Sequence, residues 1–188
     1  MKTVFLLRHA KSSRDHPELD DHDRPLNKRG KRQAPEMGKL ILAENLTPDL
    51  ILSSTAKRAS KTAQAVAENC GYDGKVDWVD DFYPGWPADY LRVLSELPDG
   101  VQRVMVVGHN PGLEEFLRLL VGEAGREHLA GREHLSSVNY SGTARILSGT
   151  LPTAALAQVD LPLESWQDLT ASTRGKLVRV LRASEKDK

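Results

Sequence analysis

Cationic and imidazole side chains follow three separate apolar runs in this sequence. Arg8 and His9 come directly after the first run, Arg58 comes shortly after the second, and His109 follows the fourth. Guanidinium groups bind phosphate oxygens through paired hydrogen bonds, and each charge-assisted bond contributes about 1.5–3 kcal/mol. These residue types therefore indicate a site for a phosphate or a carboxylate group.

The elements that would position these residues alternate between strand and helix. Apolar runs of strand length predict strands at 3–7, 50–54, 76–79 and 104–107. Apolar residues at helical spacing predict helices, the first of them capped by Asn27, at 27–46, 56–69, 89–97 and 113–120. This alternation favours an α/β fold with a largely parallel sheet and helices on both faces.

The last third of the chain is less regular. Apolar runs predict further strands at 144–147, 154–159 and 177–181, and no linker divides the chain. A duplicated hexapeptide at 125–136 (GREHLAGREHLS) carries histidines six residues apart, whereas metal ligands on a helix lie three or four apart. We interpret it as a surface insertion, and we expect one domain over 1–183 with a disordered tail at 184–188.

The predicted sheet explains how the cations and imidazoles could meet. In an open α/β sheet, ligands bind just beyond the carboxyl ends of the strands. Residues that follow different strands are therefore expected on one rim. Ser54 or Thr55 opens the helix that carries Arg58, so backbone N–H groups there would face the same anion.

Composition and charge exclude several other classes of protein. The 26 Lys and Arg residues balance 26 Asp and Glu residues, whereas nucleic-acid-binding proteins usually carry a basic excess. The longest apolar runs, of about five to seven residues, are shorter than the roughly 20 that a bilayer-spanning helix needs. Cys70 is the only cysteine, so no intramolecular disulfide can form. We therefore expect a cytoplasmic protein that binds neither nucleic acid nor membrane.

The residues around these cations fall into five short motifs. They are RHAKSS at 8–13, DRPLNKRG at 23–30, SS at 53–54 followed by Arg58 and Thr62, VGHNPG at 107–112, and PTAALA at 152–157. In this order and combination they resemble the motifs of the histidine phosphatase superfamily. They look most like its small SixA branch, the phosphohistidine phosphatases.

The resemblance implies a mechanism for the cationic rim. His9 would be the nucleophile and would be transiently phosphorylated before water releases inorganic phosphate. Arg8, Arg58 and His109 would bind the phosphoryl oxygens, over which charge is spread in the transition state. Arg24 would add another phosphate contact.

The resemblance also has implications for the fold and the rest of the site. It implies a single three-layer α/β/α domain with a mostly parallel central sheet, the phosphoglycerate mutase-like fold, here minimal and without a lid insertion. Ser54 and Asn110 would contribute to substrate binding. No cofactor and no metal is implied, and the sequence has no metal-ligand motif such as His-Glu-x-x-His.

The candidate general acid bears on the substrate. Larger members of the superfamily place an acid after the third strand, where this chain has Asp80 and Asp81. We interpret both as solvated, with Asp81 as the candidate acid. An alkoxide leaving group gains about 10²–10⁴-fold from such an acid, whereas a phosphohistidine nitrogen is basic enough to be protonated beforehand.

We therefore expect the substrate to be phosphohistidine on a partner protein, which an open rim on a chain of 188 residues would admit. One alternative is a phosphatase or mutase that acts on a small phosphoester, with Asp81 as the acid. Another is a non-enzymatic phosphate-binding module, which would have no need of His9.

Overall fold

The described part of the chain contains six strands and four helices. The computed structural model describes residues 1–15, 17–122 and 151–183. The strands are β1 (Lys2–Arg8), β2 (Leu50–Ser54), β3 (Val76–Val79), β4 (Arg103–Gly108), β5 (Ala155–Leu161) and β6 (Lys176–Arg182). The helices are α1 (Lys28–Ala43), α2 (Lys57–Ala67), α3 (Pro87–Ser95) and α4 (Gly112–Val121).

All six strands form one mixed sheet in the order β3-β2-β4-β1-β5-β6. The first four strands of the chain run parallel to one another, whereas β5 and β6 are antiparallel to their neighbours. The predicted mostly parallel sheet is therefore confirmed. The predicted strand at 144–147, the duplicated hexapeptide at 125–136 and the tail at 184–188 lie outside the described residues.

Two apolar layers cover the two faces of the sheet. Alternate residues of β1 point to opposite faces, so Phe5 packs with Met37 and Ile41 of α1, while Leu6 packs with Phe116 of α4. Burying one side chain of this size contributes about 1.5–3 kcal/mol. Helices on both faces confirm the three-layer arrangement.

Residues in or next to the first turn determine where α1 and α3 begin. The side chain of Asn27 accepts a hydrogen bond from the backbone N–H of Gly30 at 2.9 Å, so the predicted cap of α1 is confirmed. α3 starts at Pro87, two residues earlier than the predicted 89, because proline suits the first turn of a helix and lacks the N–H that would be unpaired there. None of the described helices is long and apolar enough to cross a bilayer.

Candidate active site

Strand register brings the two histidines of the predicted site together. Arg8 at the end of β1 lies opposite Gly108 at the end of β4, and the backbone N–H of His9 donates to the Gly108 carbonyl at 3.2 Å. His109 follows directly, so the two imidazole rings have centroids 5.0 Å apart. Both rings lie beyond the carboxyl ends of the strands, where the sequence predicts the site.

Hydrogen bonding determines the protonation of His9. Its Nδ1 lies 2.8 Å from the backbone carbonyl of Ala10, which can only accept, so Nδ1 carries the proton and Nε2 has the lone pair. The residue is only 8% exposed. Burial lowers the pKa of His9 to about 3, against the opposing effect of the bond to Ala10, and the charges of Arg58 and Arg8 lower it further. The imidazole is therefore neutral near pH 7.

His109 is hydrogen-bonded to Ser54. The hydroxyl of Ser54 accepts the backbone N–H of Ala56 at 3.2 Å and lies 2.8 Å from Nε2 of His109. The other ring nitrogen, Nδ1, has no hydrogen-bond partner among the described residues. Burial lowers the pKa of His109 to about 2, and the neighbouring His9 and arginines lower it further against the opposing charge of Asp21, so this ring is also neutral near pH 7.

Arg8 is anchored by a backbone carbonyl on the far side of the site. Its Nη1 donates to the Leu151 carbonyl at 2.7 Å, and the side-chain amide of Asn110 donates to the same oxygen at 3.1 Å. Asn110 also donates to the buried carboxylate of Glu114 at 2.9 Å, which forms an ion pair with Arg118. Burial lowers the pKa of Arg8, and the charge of Glu114 opposes that effect.

Asp21 links the two other arginines of the site. Its carboxylate accepts from Arg24 at 2.7 Å, from Arg58 at 2.9 Å and from the hydroxyl of Tyr83 at 2.8 Å, and its backbone carbonyl accepts from Arg58 as well. Partial burial alone would raise the pKa of Asp21. The hydrogen bonds from Arg24 and Tyr83 and the charge of Arg58 outweigh it and hold the pKa well below its usual range.

Thr62 connects the nucleophile's turn to the helix that carries Arg58. Its hydroxyl accepts the backbone N–H of Ala10 at 3.0 Å and donates to the carbonyl of Arg58 at 2.6 Å. The backbone N–H of Ala154 donates to the carbonyls of Arg8 and His9 at 3.1 and 3.2 Å. The chain segments of four motifs are thus bonded to one another around the site.

A cavity of about 140 Å³ opens at this point. Five of the side chains that line it are cationic, and the full lining consists of Arg8, His9, Lys11, Ser12, Arg14, Arg24, Arg58 and Thr153. A cavity with this lining can bind a tetrahedral anion through charge-assisted hydrogen bonds. Among the described residues, no cluster of three or more His, Cys, Asp or Glu side chains could hold a metal ion.

Comparison with known proteins shows the family of this chain. Residues 4–81 match the model of the histidine phosphatase superfamily, branch 1. A solved structure assigned as the phosphohistidine phosphatase SixA of Agrobacterium tumefaciens is 31% identical, with a TM-score of 0.73, over 96% of this chain and 97% of that one. The chain belongs to the histidine phosphatase superfamily.

Two further proteins are similar to this chain over most of its length. A structure assigned as SixA of Nakamurella multipartitia is 27% identical, with a TM-score of 0.72, over 97% of this chain and 96% of that one. An uncharacterized chloroplast protein of Arabidopsis thaliana is 36% identical over 131 residues, which span 64% of this chain and 60% of that protein. Solved structures that share the fold at 17% identity include phosphatases of small phosphoesters.

The predicted site residues differ in their position relative to the cavity. Those that line the cavity are Arg8, His9, Arg24 and Arg58. His109 lies against His9, Ser54 lies behind His109, and Asn110 donates to Glu114 and Leu151. Asp81 is exposed and forms an ion pair with Arg92 of α3.

Three contributors to the site are absent from the sequence prediction. Asp21 and Tyr83 contact Arg58 from separate loops, and Glu114 supports Asn110 and Arg8 from inside α4. Of these three residues, only Asp21 could have been predicted from the local sequence, because it lies three residues before Arg24 and pairs with it. The Tyr83 contact joins residues far apart in the chain, and no local pattern indicates it.

Proposed function

We propose that this histidine phosphatase removes phosphate from a histidine of a partner protein through a phospho-His9 intermediate and releases inorganic phosphate. The observation that carries the proposal is the state of His9. It is a buried, neutral imidazole whose Nδ1 proton is held by the Ala10 carbonyl, beside a cavity with five cationic side chains. A histidine nucleophile requires this unprotonated Nε2.

The first step transfers the phosphoryl group to the enzyme. Nε2 of His9 attacks phosphorus in line with the bond to the substrate imidazole. The bond between phosphorus and the substrate nitrogen breaks, and its electron pair returns to that nitrogen. Because the other ring nitrogen of the substrate imidazole is basic enough to be protonated beforehand by solvent, the product leaves as a neutral histidine side chain.

Electrostatic stabilisation accelerates this step. Arg8 and Arg58 bind the equatorial oxygens with donors that are already oriented by Leu151 and Asp21. We assign the ring proton of His109 to Nδ1, with the Ser54 hydroxyl donating to Nε2. Nδ1, which has no partner among the described residues, then donates to another oxygen. Loss of one preorganised donor of this kind costs about 10²–10³-fold in rate.

The second step regenerates the enzyme. Water attacks the phosphorus of phospho-His9, and the bond between phosphorus and Nε2 breaks, with its electron pair returning to Nε2. One proton of the water passes to solvent, and the product is inorganic phosphate. The proton on Nδ1 stays with the Ala10 carbonyl throughout, so His9 is ready for the next substrate.

The acids around the site support phosphohistidine as the substrate. The candidate acid Asp81 is exposed and paired with Arg92, and Asp21, the carboxylate beside Arg58, has a pKa held well below its usual range. Neither is suited to donate a proton to an alkoxide near pH 7. A phosphohistidine, whose leaving imidazole is protonated by solvent, suits a site without a proton-donating acid better than an ester does.

Turnover of two substrates tests the proposal. We expect kcat/KM for a protein phosphorylated on histidine to exceed that for 3-phosphoglycerate by at least about 10²-fold, the range of general-acid assistance. An acid-labile, base-stable phosphate should accumulate on the wild-type protein during turnover and be absent from the His9→Ala variant.

Two outcomes would contradict the proposal. A higher kcat/KM for the phosphoglycerate, lost on Asp81→Ala, would establish the small-phosphoester alternative. Phosphate binding without turnover and without a labelled His9 would instead establish a non-enzymatic binding module.

A further inference from the structure

The cavity carries more positive charge than one phosphoryl group requires. Its lining includes five cationic side chains, and Asp21 is the acidic side chain that pairs with two of them. A phosphoryl group near pH 7 carries about −1.5 to −2 charges. An excess of positive charge therefore remains after a phosphoryl group has bound.

The excess charge lies on Lys11 and Arg14. Both side chains are exposed at the wall of the cavity, and neither forms an ion pair or a side-chain hydrogen bond with any residue that the structure describes. Arg24 and Arg58, by contrast, are both paired with Asp21. Lys11 and Arg14 are therefore free to bind a group on the substrate.

The backbone that carries these two side chains is held in place. The Lys11 carbonyl accepts the backbone N–H of Asn27 at 3.0 Å, and the Ser13 N–H donates to the Pro25 carbonyl at 2.8 Å. A Cβ on Gly30 would lie 2.1 Å from the Lys11 carbonyl oxygen, so this close approach requires glycine. The two cations thus extend from a fixed part of the wall.

The turn after Ser13 is also ordered by its own side chain. The Ser13 hydroxyl accepts the backbone N–H of Asp15 at 3.1 Å and donates to the Asp15 carboxylate at 2.9 Å. Arg14 lies within this turn and contributes to the lining of the cavity. A pre-positioned backbone reduces the entropy that is lost when the side chain binds a ligand.

We propose that Lys11 and Arg14 form a subsite for a second anionic group of the substrate, a carboxylate or phosphate next to the transferred phosphoryl group. This inference rests on the proposed function and narrows its substrate class. Lys11 supplies a compact charge, whereas Arg14 supplies a planar fork that matches a carboxylate or a phosphate. The preferred protein substrate then carries acidic residues beside its phosphohistidine.

Matched substrates test the subsite. One pair is two phosphohistidine peptides of equal length, with Glu or with Gln on both sides of the phosphohistidine. The other pair is fructose 1,6-bisphosphate and fructose 6-phosphate, which separates a second phosphate on a small molecule from a carboxylate on a peptide. We expect wild-type kcat/KM to be about tenfold higher for the peptide with Glu, the size expected for two exposed ion pairs.

Charge-matched variants complete the experiment. Lys11→Gln combined with Arg14→Gln should reduce the tenfold preference to less than about twofold, because kcat/KM falls much more for the Glu peptide than for the Gln peptide. Lys31→Gln combined with Lys39→Gln removes two exposed charges from α1 and should keep the preference. A preference for the bisphosphate alone would support the subsite and assign it to a small-molecule substrate.

Other outcomes overturn the inference. Equal wild-type kcat/KM values within both pairs would overturn the subsite and leave the proposed function intact. An equal loss on all four substrates in the Lys11 and Arg14 variant would show that these cations serve the transferred phosphoryl group instead. Lack of turnover of every substrate by the wild-type protein would overturn the proposed function, and the subsite with it.

Discussion

His9 and His109 have the same side chain but different proton positions and different tasks. A carbonyl acceptor beside Nδ1 leaves Nε2 of His9 with a lone pair, whereas the proposed donation from the Ser54 hydroxyl to Nε2 leaves Nδ1 of His109 with a proton. One ring is therefore suited to attack phosphorus and the other to donate to a phosphoryl oxygen. Burial keeps both rings neutral over the range in which free histidine titrates.

The same burial makes stability depend on pH. The folded-state pKa values of about 3 for His9 and about 2 for His109 lie below 6.5, the ordinary value, so the unfolded chain binds more protons between these limits. The contribution of these two rings to the free energy of unfolding is complete above pH 6.5 and declines as the pH falls towards 3. We expect the free energy of unfolding in urea to fall between pH 6.5 and 4.5 by about 1.4 kcal/mol per pH unit for each ring.

Histidine variants separate the two contributions. His9→Asn should remove about half of the slope between pH 4.5 and 6.5, and the additional change His109→Asn should remove most of the rest. A slope that persists in the double variant would contradict the buried, neutral state of these rings.

Among the elements, α1 supports the site through its first turn. Asn27 caps the helix and also donates its backbone N–H to Lys11, so the start of α1 and the wall of the cavity share one residue. Gly30 lies one turn into the helix with its Cα against the Lys11 carbonyl. The helix therefore positions cavity residues although it contributes no side chain to the lining.

Replacing Gly30 tests this contact. Gly30→Ala would place a Cβ 2.1 Å from a backbone oxygen, and we expect it to lower the free energy of unfolding by about 2–3 kcal/mol and to raise KM. Gly100→Ala is the matched control, since nothing lies within 4 Å of a Cβ there, and it should change stability by less than about 1 kcal/mol. Equal effects of the two substitutions in urea titrations would rule out the contact.

At the scale of the whole molecule, the anion site joins chain segments that span nearly the entire sequence. Arg8 is bonded to Leu151, Arg58 to Asp21, and His109 to Ser54, so an anion that bridges these groups links β1, α2 and the loop after β4. A ligand that binds only the folded state stabilises it by RT ln(1 + [L]/Kd). Phosphate binding should therefore be visible as a change in global stability.

We expect orthophosphate or tungstate at about 100 times its Kd to raise Tm by about 5–10 °C, in the presence of EDTA as well as in its absence. Arg58→Gln should abolish the increase, whereas Arg174→Gln, at an exposed arginine distant in sequence from the site, should retain it. Differential scanning calorimetry measures both. An increase that disappears with EDTA and returns with a divalent cation would contradict metal-independent binding.

Much of the fold could be predicted because its signals are local. The apolar runs of β1, β2, β3 and β4 and the cap at Asn27 depend on neighbouring residues, and all of them are confirmed within one or two positions. The predicted start of α3 was wrong by two residues. Apolar residues at helical spacing do not reveal that a proline occupies the first turn. The direction of β5 and β6 depends on sheet pairing and has no local signal.

The order of motifs along the chain is enough to predict an α/β fold, membership of the histidine phosphatase superfamily and a cationic rim. Strand ends in parallel sheets converge regardless of the details of packing, so Arg8, His9, Arg58 and His109 could be named from their positions alone. The tautomers of the two histidines and the pairing of Asp21 with Arg58 come from hydrogen bonds between residues distant in the chain. Such bonds form only after the chain has packed, because each depends on distances that no local pattern contains.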